Sequence, residues 1–298
     1  MMYDSFSNFH PIVNFIYFLA VLIFSMFFMH PIFQIIALIS AITYSMMIKG
    51  LRKGIRFNII YMMPMLLFMA ILNPLFNHEG VTILFYLKDG NPITLESIFY
   101  GIASATMFIT VIIWFSCYNA VMTSDKFIYL FGRIIPSLSL IFSMTLRFVP
   151  RYIEQIKVIS NAQKSMGRDL SQGNIIRRAK NGIKILSIMT TWALENAIET
   201  ADSMRSRGYG LPGRTSFSIF SFDNRDKIGI SAILLLVLII LIGAFKGENT
   251  IRFFPSIKFS ELTGYSLLVY IAYLILCMMP VIINIQEEVK WKSIESRI

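Results

Sequence analysis

Six stretches of this chain contain no Asp, Glu, Lys or Arg and are apolar almost throughout: 11–29, 31–48, 57–76, 98–122, 228–245 and 264–285. Each has about the length a helix needs to cross a hydrocarbon core of roughly 30 Å. With 56% hydrophobic and 15% charged residues, the 298-residue chain is too apolar for a soluble domain of its size. The expected class is an all-α membrane protein with about six transmembrane helices. No secretory signal with a cleavage site is visible, so the first run reads as a retained span.

The net charge is +10, and its placement sets the expected orientation. Segment 49–56 carries Lys49, Arg52, Lys53 and Arg56 with no acid. Segment 123–227 holds 16 Lys/Arg against 8 Asp/Glu, a net +8. Segment 77–97 has one Lys against three acids, and 246–263 has three basic residues against two acids. The positive-inside rule places 49–56 and 123–227 in the cytoplasm, and both termini with them. The membrane accounts for this charge without any nucleic-acid partner. The chain divides into an N-terminal set of about four spans (1–122), a cytoplasmic region (123–227), and two C-terminal spans with a cytoplasmic tail (228–298).

Little in the spans points to chemistry of their own. Their polar residues, among them Asn14, Gln34, Asn58, Asn73 and Asn119, are expected to hydrogen-bond between helices. Ion or proton pathways usually need ionisable residues inside the membrane, and these runs have none. Cys117 and Cys277 read as small buried side chains. His10, His30 and His78 are scattered near span ends. Paired carboxylates, a Ser–His pair and metal-ligand spacing are all missing, so neither a catalytic site nor a cofactor is expected.

The cytoplasmic region carries two patterns of helical period. The first starts near Pro136, a residue suited to a first turn, and runs toward Gly167 as a stop. Pro150 lies inside it and is expected to kink or break it. Pro64 raises the same expectation for the third span. The second pattern covers about 171–207, with apolar residues three and four apart from Ile175 to Met204. Basic residues crowd its first half: Arg177, Arg178, Lys180 and Lys184. Gly208 follows as a C-cap. The next residues, "GYGLPGRTS" from Gly208, come close to a phosphate-binding loop. Such a loop needs a strand before it, a helix after it and a lysine where Arg214 stands, so the stretch reads as a turn leaving the helix.

The cytoplasmic region resembles the transmembrane T component of energy-coupling factor (ECF) transporters, the family that includes the cobalt-transport Q protein. Leu146-Arg147-Phe148-Val149-Pro150 is similar to that family's Leu-Arg-Phe-Ile-Pro segment. Ser206-Arg207-Gly208 is similar to the Ala-Arg-Gly signature that ends its second coupling helix. "AQKSMGRD" (162–169) is similar to the first signature, with Ser165-Met166-Gly167 in its place. Methionine thus stands where arginine is expected, and Arg168 and Lys164 are the candidates to stand in for it. The family's N-terminal Asp-Pro-Arg becomes His10-Pro11-Ile12 here.

The resemblance implies a non-catalytic scaffold in the cell membrane. Two ATP-binding-cassette subunits would dock on the helix ends at Ser206, Arg207, Gly208, Lys164, Ser165, Met166, Gly167 and Arg168. Their ATP-driven motion would pass to a small substrate-binding membrane subunit for a vitamin or a transition-metal ion. Leu146, Arg147, Phe148 and Pro150 would belong to the coupling framework. The unequal signatures suggest two different ATPases. A contrasting reading of the same basic, amphipathic helices is a membrane-surface anchor that binds anionic lipid or recruits another cytosolic protein.

Overall fold

The computed structural model describes residues 4–86, 90–132, 136–168, 173–209, 220–259 and 263–296. Nine α-helices appear among them: α1 (Pro11–Phe27), α2 (Pro31–Lys49), α3 (Leu51–Phe76), α4 (Leu95–Val121), α5 (Ser124–Gly132), α6 (Pro136–Ser165), α7 (Ile175–Ser206), α8 (Asn224–Phe245) and α9 (Gly264–Glu295). A 3₁₀ turn, Ser5–Asn8, precedes α1. Two antiparallel ribbons complete the set. β1 (Ile83–Tyr86) pairs with β2 (Pro92–Thr94), and β3 (Ile251–Arg252) pairs with β4 (Lys258–Phe259). The chain forms two compact units: Met1–Phe127 together with Phe220–Ile298, and Ile128–Ile219.

The first unit is an all-α membrane bundle. α2, α4, α8 and α9 are long and apolar enough to cross a bilayer. The other two expected spans are more limited. α1 has 17 residues, about 26 Å of helix, which sits at the lower limit for a span. The apolar part of α3 is Pro64–Phe76.

Hydrogen bonds nonetheless gather alternate helix ends at one side of this unit. The Asn284 carboxamide, where the apolar run of α9 ends, accepts from the backbone N–H of Ser5 and Phe6 at 2.8 and 3.2 Å. The Tyr44 hydroxyl near the end of α2 donates to Asp4 at 3.0 Å. At the start of α8, Asp226 accepts from the His10 N–H at 2.9 Å. Just past α4, Lys126 donates to the Ser7 carbonyl. At the opposite side, His30 stacks on Tyr270, with centroids 5.8 Å apart, and Tyr100 meets Phe253 edge-on at 5.3 Å. Each of the six helices therefore runs from one side to the other, in alternating direction.

Lipid tails give helices little hydrophobic reason to associate, so close packing must hold the bundle. An aromatic cluster of Phe6, Tyr17, Phe18, Tyr44 and Trp114 is fully buried at its centre. Its edge-to-face pairs, such as Phe6 on Tyr17 at 5.0 Å, match the ring quadrupoles. Cys117 and Cys277 are buried free thiols. Small residues set the tightest approaches. A Cβ on Gly243 in α8 would lie 2.6 Å from the Val269 side chain of α9, so only glycine fits.

Several sequence expectations need correction. Segment 49–56 is not a loop: Gly50, at φ +82°, makes the whole turn between α2 and α3. Arg52 and Arg56 therefore lie in the first turns of α3. Pro64 and Pro150 break neither α3 nor α6, because a proline removes one N–H while the bonds on either side persist. The tail beyond 285 is the continuation of α9, supported by a Glu288–Lys292 ion pair at 2.8 Å, four residues apart. α5 and the two ribbons had no counterpart in the sequence reading. The span asparagines bond less uniformly than expected. Asn73 accepts from Ser97 across α3 and α4 at 3.4 Å, but Asn14 turns back to the Ser7 and Phe9 carbonyls.

Candidate functional site

The second unit is built on α6 and α7, which hold each other through a small core. Ile159, Ile185 and Met189 are buried, with Tyr152, Ile188 and Trp192 packed around them. Tyr152 meets Trp192 edge-on at 5.5 Å, and Arg151 lies 5.6 Å over the same indole. Phe148 stacks on Tyr152 at 6.0 Å. The predicted framework segment thus sits in mid-helix: Phe148 joins the core side, while Leu146, Arg147 and Pro150 are exposed.

Both long helices end in the same backbone motif. At the end of α6 the Gly167 N–H donates to the Lys164 carbonyl at 2.9 Å, and the Arg168 N–H donates to Gln163 at 2.9 Å. At the end of α7 the Gly208 N–H donates to Arg205 at 3.0 Å, and the Tyr209 N–H donates to Met204 at 3.0 Å. This crossed pair of bonds closes a helix only when its glycine position is left-handed. Gly167 stands at φ +73° and Gly208 at φ +76°.

The side chains repeat the match. The Ser165 hydroxyl donates to the Asn161 carbonyl one turn back at 3.2 Å, and the Ser206 hydroxyl donates to Asp202 at 2.6 Å.

These bonds align the two ends residue by residue. Ser165 corresponds to Ser206, Met166 to Arg207, and Gly167 to Gly208. Lys164 corresponds to Arg205, and Arg168 to Tyr209. Met166 and Arg207 occupy one position and are both exposed, Met166 at 60%. The backbone of the degraded signature is therefore intact; only the projecting side chain differs. Arg168 lies two positions after Met166 and Lys164 two positions before it. The expected phosphate-loop look-alike falls largely within 210–219, outside the described residues.

What such a tip can do follows from its parts. Arginine offers five donors in a planar fork, and the preceding serine has turned its own hydroxyl inward. The glycine ends the helix and lets another backbone approach closely. At the α6 tip, a flexible thioether fills the same position.

A second constellation, at the N-terminal side of the bundle, has no sequence signature. Asp4 accepts from Tyr44 and, at 2.8 Å, from Asn284. Lys126 is buried and also donates to the Val121 carbonyl at 3.0 Å. Burial lowers the Lys126 ammonium from its ordinary pKa, and the Asp4 charge partly offsets this. His10 is likewise lowered by burial, with Asp226 opposing the shift. The Arg225 guanidinium carbon lies over the Phe9 ring, 4.3 Å from its centroid. Among the described residues, no group of three His, Cys, Asp or Glu is placed to hold a metal ion.

Comparison with known proteins adds an independent line. The family model described as cobalt transport protein (CbiQ) matches residues 5–217, more than half of the chain. The chain belongs to the cobalt transport protein family. This member is also similar to proteins named energy-coupling factor transporter transmembrane protein EcfT. The one from Lactobacillus helveticus (strain DPC 4571) is 38% identical over 109 residues, 36% of this chain and 39% of the relative. Its counterpart in Lactococcus lactis subsp. cremoris (strain MG1363) is 32% identical over 106 residues, 35% of this chain and 40% of the relative. That of Brevibacillus brevis (strain 47 / JCM 6285 / NBRC 100599) is 37% identical over 113 residues, 38% and 42% respectively. The matched stretch spans about two fifths of the length of these curated relatives.

Proposed function

We propose that this cobalt transport family member is the transmembrane coupling subunit of an ECF-type importer. It hydrolyses nothing itself. Two ATP-binding-cassette subunits dock on the tips of α6 and α7, and their motion passes through these helices to a small substrate-binding membrane subunit. The substrate class is a vitamin or a transition-metal ion, chosen by that third subunit. The single observation that carries the reading is the pair of identical helix endings, each presenting one exposed side chain between a serine and a glycine. In this arrangement Arg207 reaches into a groove of one ATPase, and Met166 into a less polar groove of the other. The N-terminal side of the bundle, with Asp4 and the end of α9, faces the cytoplasm, together with 123–227 and both termini.

Affinity purification of the chain from its native membrane in mild detergent, followed by mass spectrometry at high salt, tests this. Two cassette ATPases and a small hydrophobic protein are the expected company. An anionic-lipid anchor would instead lose its attachments as salt shortens the Debye length. Recovery without any ATPase contradicts the importer reading.

A further inference from the structure

A cavity of about 650 Å³ opens at the N-terminal side of the membrane bundle, a volume in the range of small-ligand pockets. Its walls come from four places in the chain. Asp4 and Ser5 contribute the N-terminal turn, Met47 and Ile48 the last turn of α2, Arg225 the first turn of α8, and Glu287, Glu288 and Trp291 the polar end of α9.

Each wall lies where its helix changes character. Met47 and Ile48 close an apolar run that Lys49 ends. Arg225 precedes the charge-free run of α8, and Glu287 and Glu288 follow that of α9. The cavity therefore sits at the level of the headgroups, and Trp291 is the side chain typical of that depth.

The charges inside are unusual for this protein. The chain carries +10 overall, yet this cavity is lined by three carboxylates and one guanidinium. Asp4 is engaged by Tyr44 and Asn284. Of the two glutamates, Glu287 is held the more loosely. Glu287 is 4.0 Å from both Arg225 and Lys290, and Glu288 pairs with Lys292 at 2.8 Å while one oxygen remains to accept from the cavity. Arg225 lies over Phe9 and, among the described residues, pairs only with Glu287 at a long 4.0 Å, so its fork has donors to spare. An anion donor and a pair of cation acceptors thus stand around one space above an apolar floor.

We propose that this cavity is a binding site for a phospholipid with a zwitterionic, primary-amine headgroup, of the phosphatidylethanolamine class. Arg225 takes the phosphate, Glu287 and Glu288 take the ammonium, and the acyl chains leave over Met47 and Ile48. A primary ammonium supplies three N–H donors to the carboxylates, whereas a trimethylated choline supplies none. An anionic glycerol headgroup meets the surplus negative charge and is disfavoured. The bound lipid would tie the ends of α2, α8 and α9 to the N-terminal turn.

The test uses the full chain purified in detergent and incubated with an equimolar mixture of phosphatidylethanolamine, phosphatidylcholine and phosphatidylglycerol carrying the same acyl chains. Native mass spectrometry then reads what is retained. The wild type should keep the ethanolamine lipid over the choline lipid by roughly tenfold, the discrimination expected of a charge-assisted hydrogen bond. A Glu287→Gln/Glu288→Gln double variant should hold the two equally, and Arg225→Gln should lower the retention of both. Glu288→Gln alone, at an exposed position, covers the case in which the double variant does not fold, and it should reduce the preference part-way. Equal retention of all three lipids, preference for the glycerol lipid, or a preference untouched by these substitutions overturns the proposal. Retention of no lipid also overturns it and leaves the cavity for a partner protein's basic side chain.

Discussion

The tips of α6 and α7 have the same backbone and different side chains. Both close with crossed hydrogen bonds around a left-handed glycine, and both turn a serine hydroxyl back one helical turn. One then projects Met166 and the other Arg207. In the proposed docking role, serine and glycine set the shape of each tip, and the residue between them sets the surface it meets. Under the proposed function a thioether and a guanidinium would suit grooves of different polarity, and we take the two docking ATPases to be unlike.

The largest effect should come from breaking the comparison at its charged member. Arg207→Ala is expected to reduce transport by about a hundredfold, in line with an arginine hot spot in a desolvated groove, while insertion into the membrane stays normal. Substrate uptake in cells carrying the complete transporter reads this directly. Met166→Ala should cost less, about tenfold in affinity for the ATPase on the α6 side, because only apolar burial is lost. Titration of the purified chain with each ATPase separates the two sites. Met166→Arg sharpens the comparison further. If the backbones are equivalent, this substitution should make the α6 tip bind the ATPase that normally occupies α7.

Changes to the shared backbone should act alike at both ends. Gly167→Ala and Gly208→Ala each force a side chain into the left-handed region, at a cost of about 1 kcal/mol. Amide exchange in the last turn should speed up about fivefold in either variant. Unequal responses would break the structural equivalence. The smallest expected effect is a pH control far from the tips. Burial lowers the pKa of His10 and of His30. Below an ordinary histidine pKa of about 6.5 the unfolded chain then binds more protons than the folded one. Thermal stability in detergent should be level above that pH and fall as pH drops beneath it. His10→Asn should flatten part of the slope, and neither change should alter ATPase binding at the tips.

What could be read from the sequence was local. Charge-free runs located the six bundle helices, because such a run has few other stable fates in a membrane protein. Gly167 and Gly208 marked the helix ends, because glycine tolerates the backbone angle that ends them. The arrangement at the N-terminal side was not legible. Asn284 donates to Asp4 across 280 positions, and Lys126 reaches Ser7 across 119. In the sequence Asp4 and Lys126 look like ordinary charges flanking spans. α5 escaped for a related reason: nine residues make too few turns to show a period. That α9 continues past its apolar run was not foreseen, although the spacing of the charges there supports a helix.

The central claim is that the α7 tip grips an ATPase through Arg207. Its most direct test is side-by-side pull-down of the wild-type chain and Arg207→Ala with both ATPase subunits at high salt. The account predicts that Arg207→Ala loses one ATPase, keeps the other on α6, and remains a folded membrane protein. Retention of both ATPases at wild-type levels would contradict it.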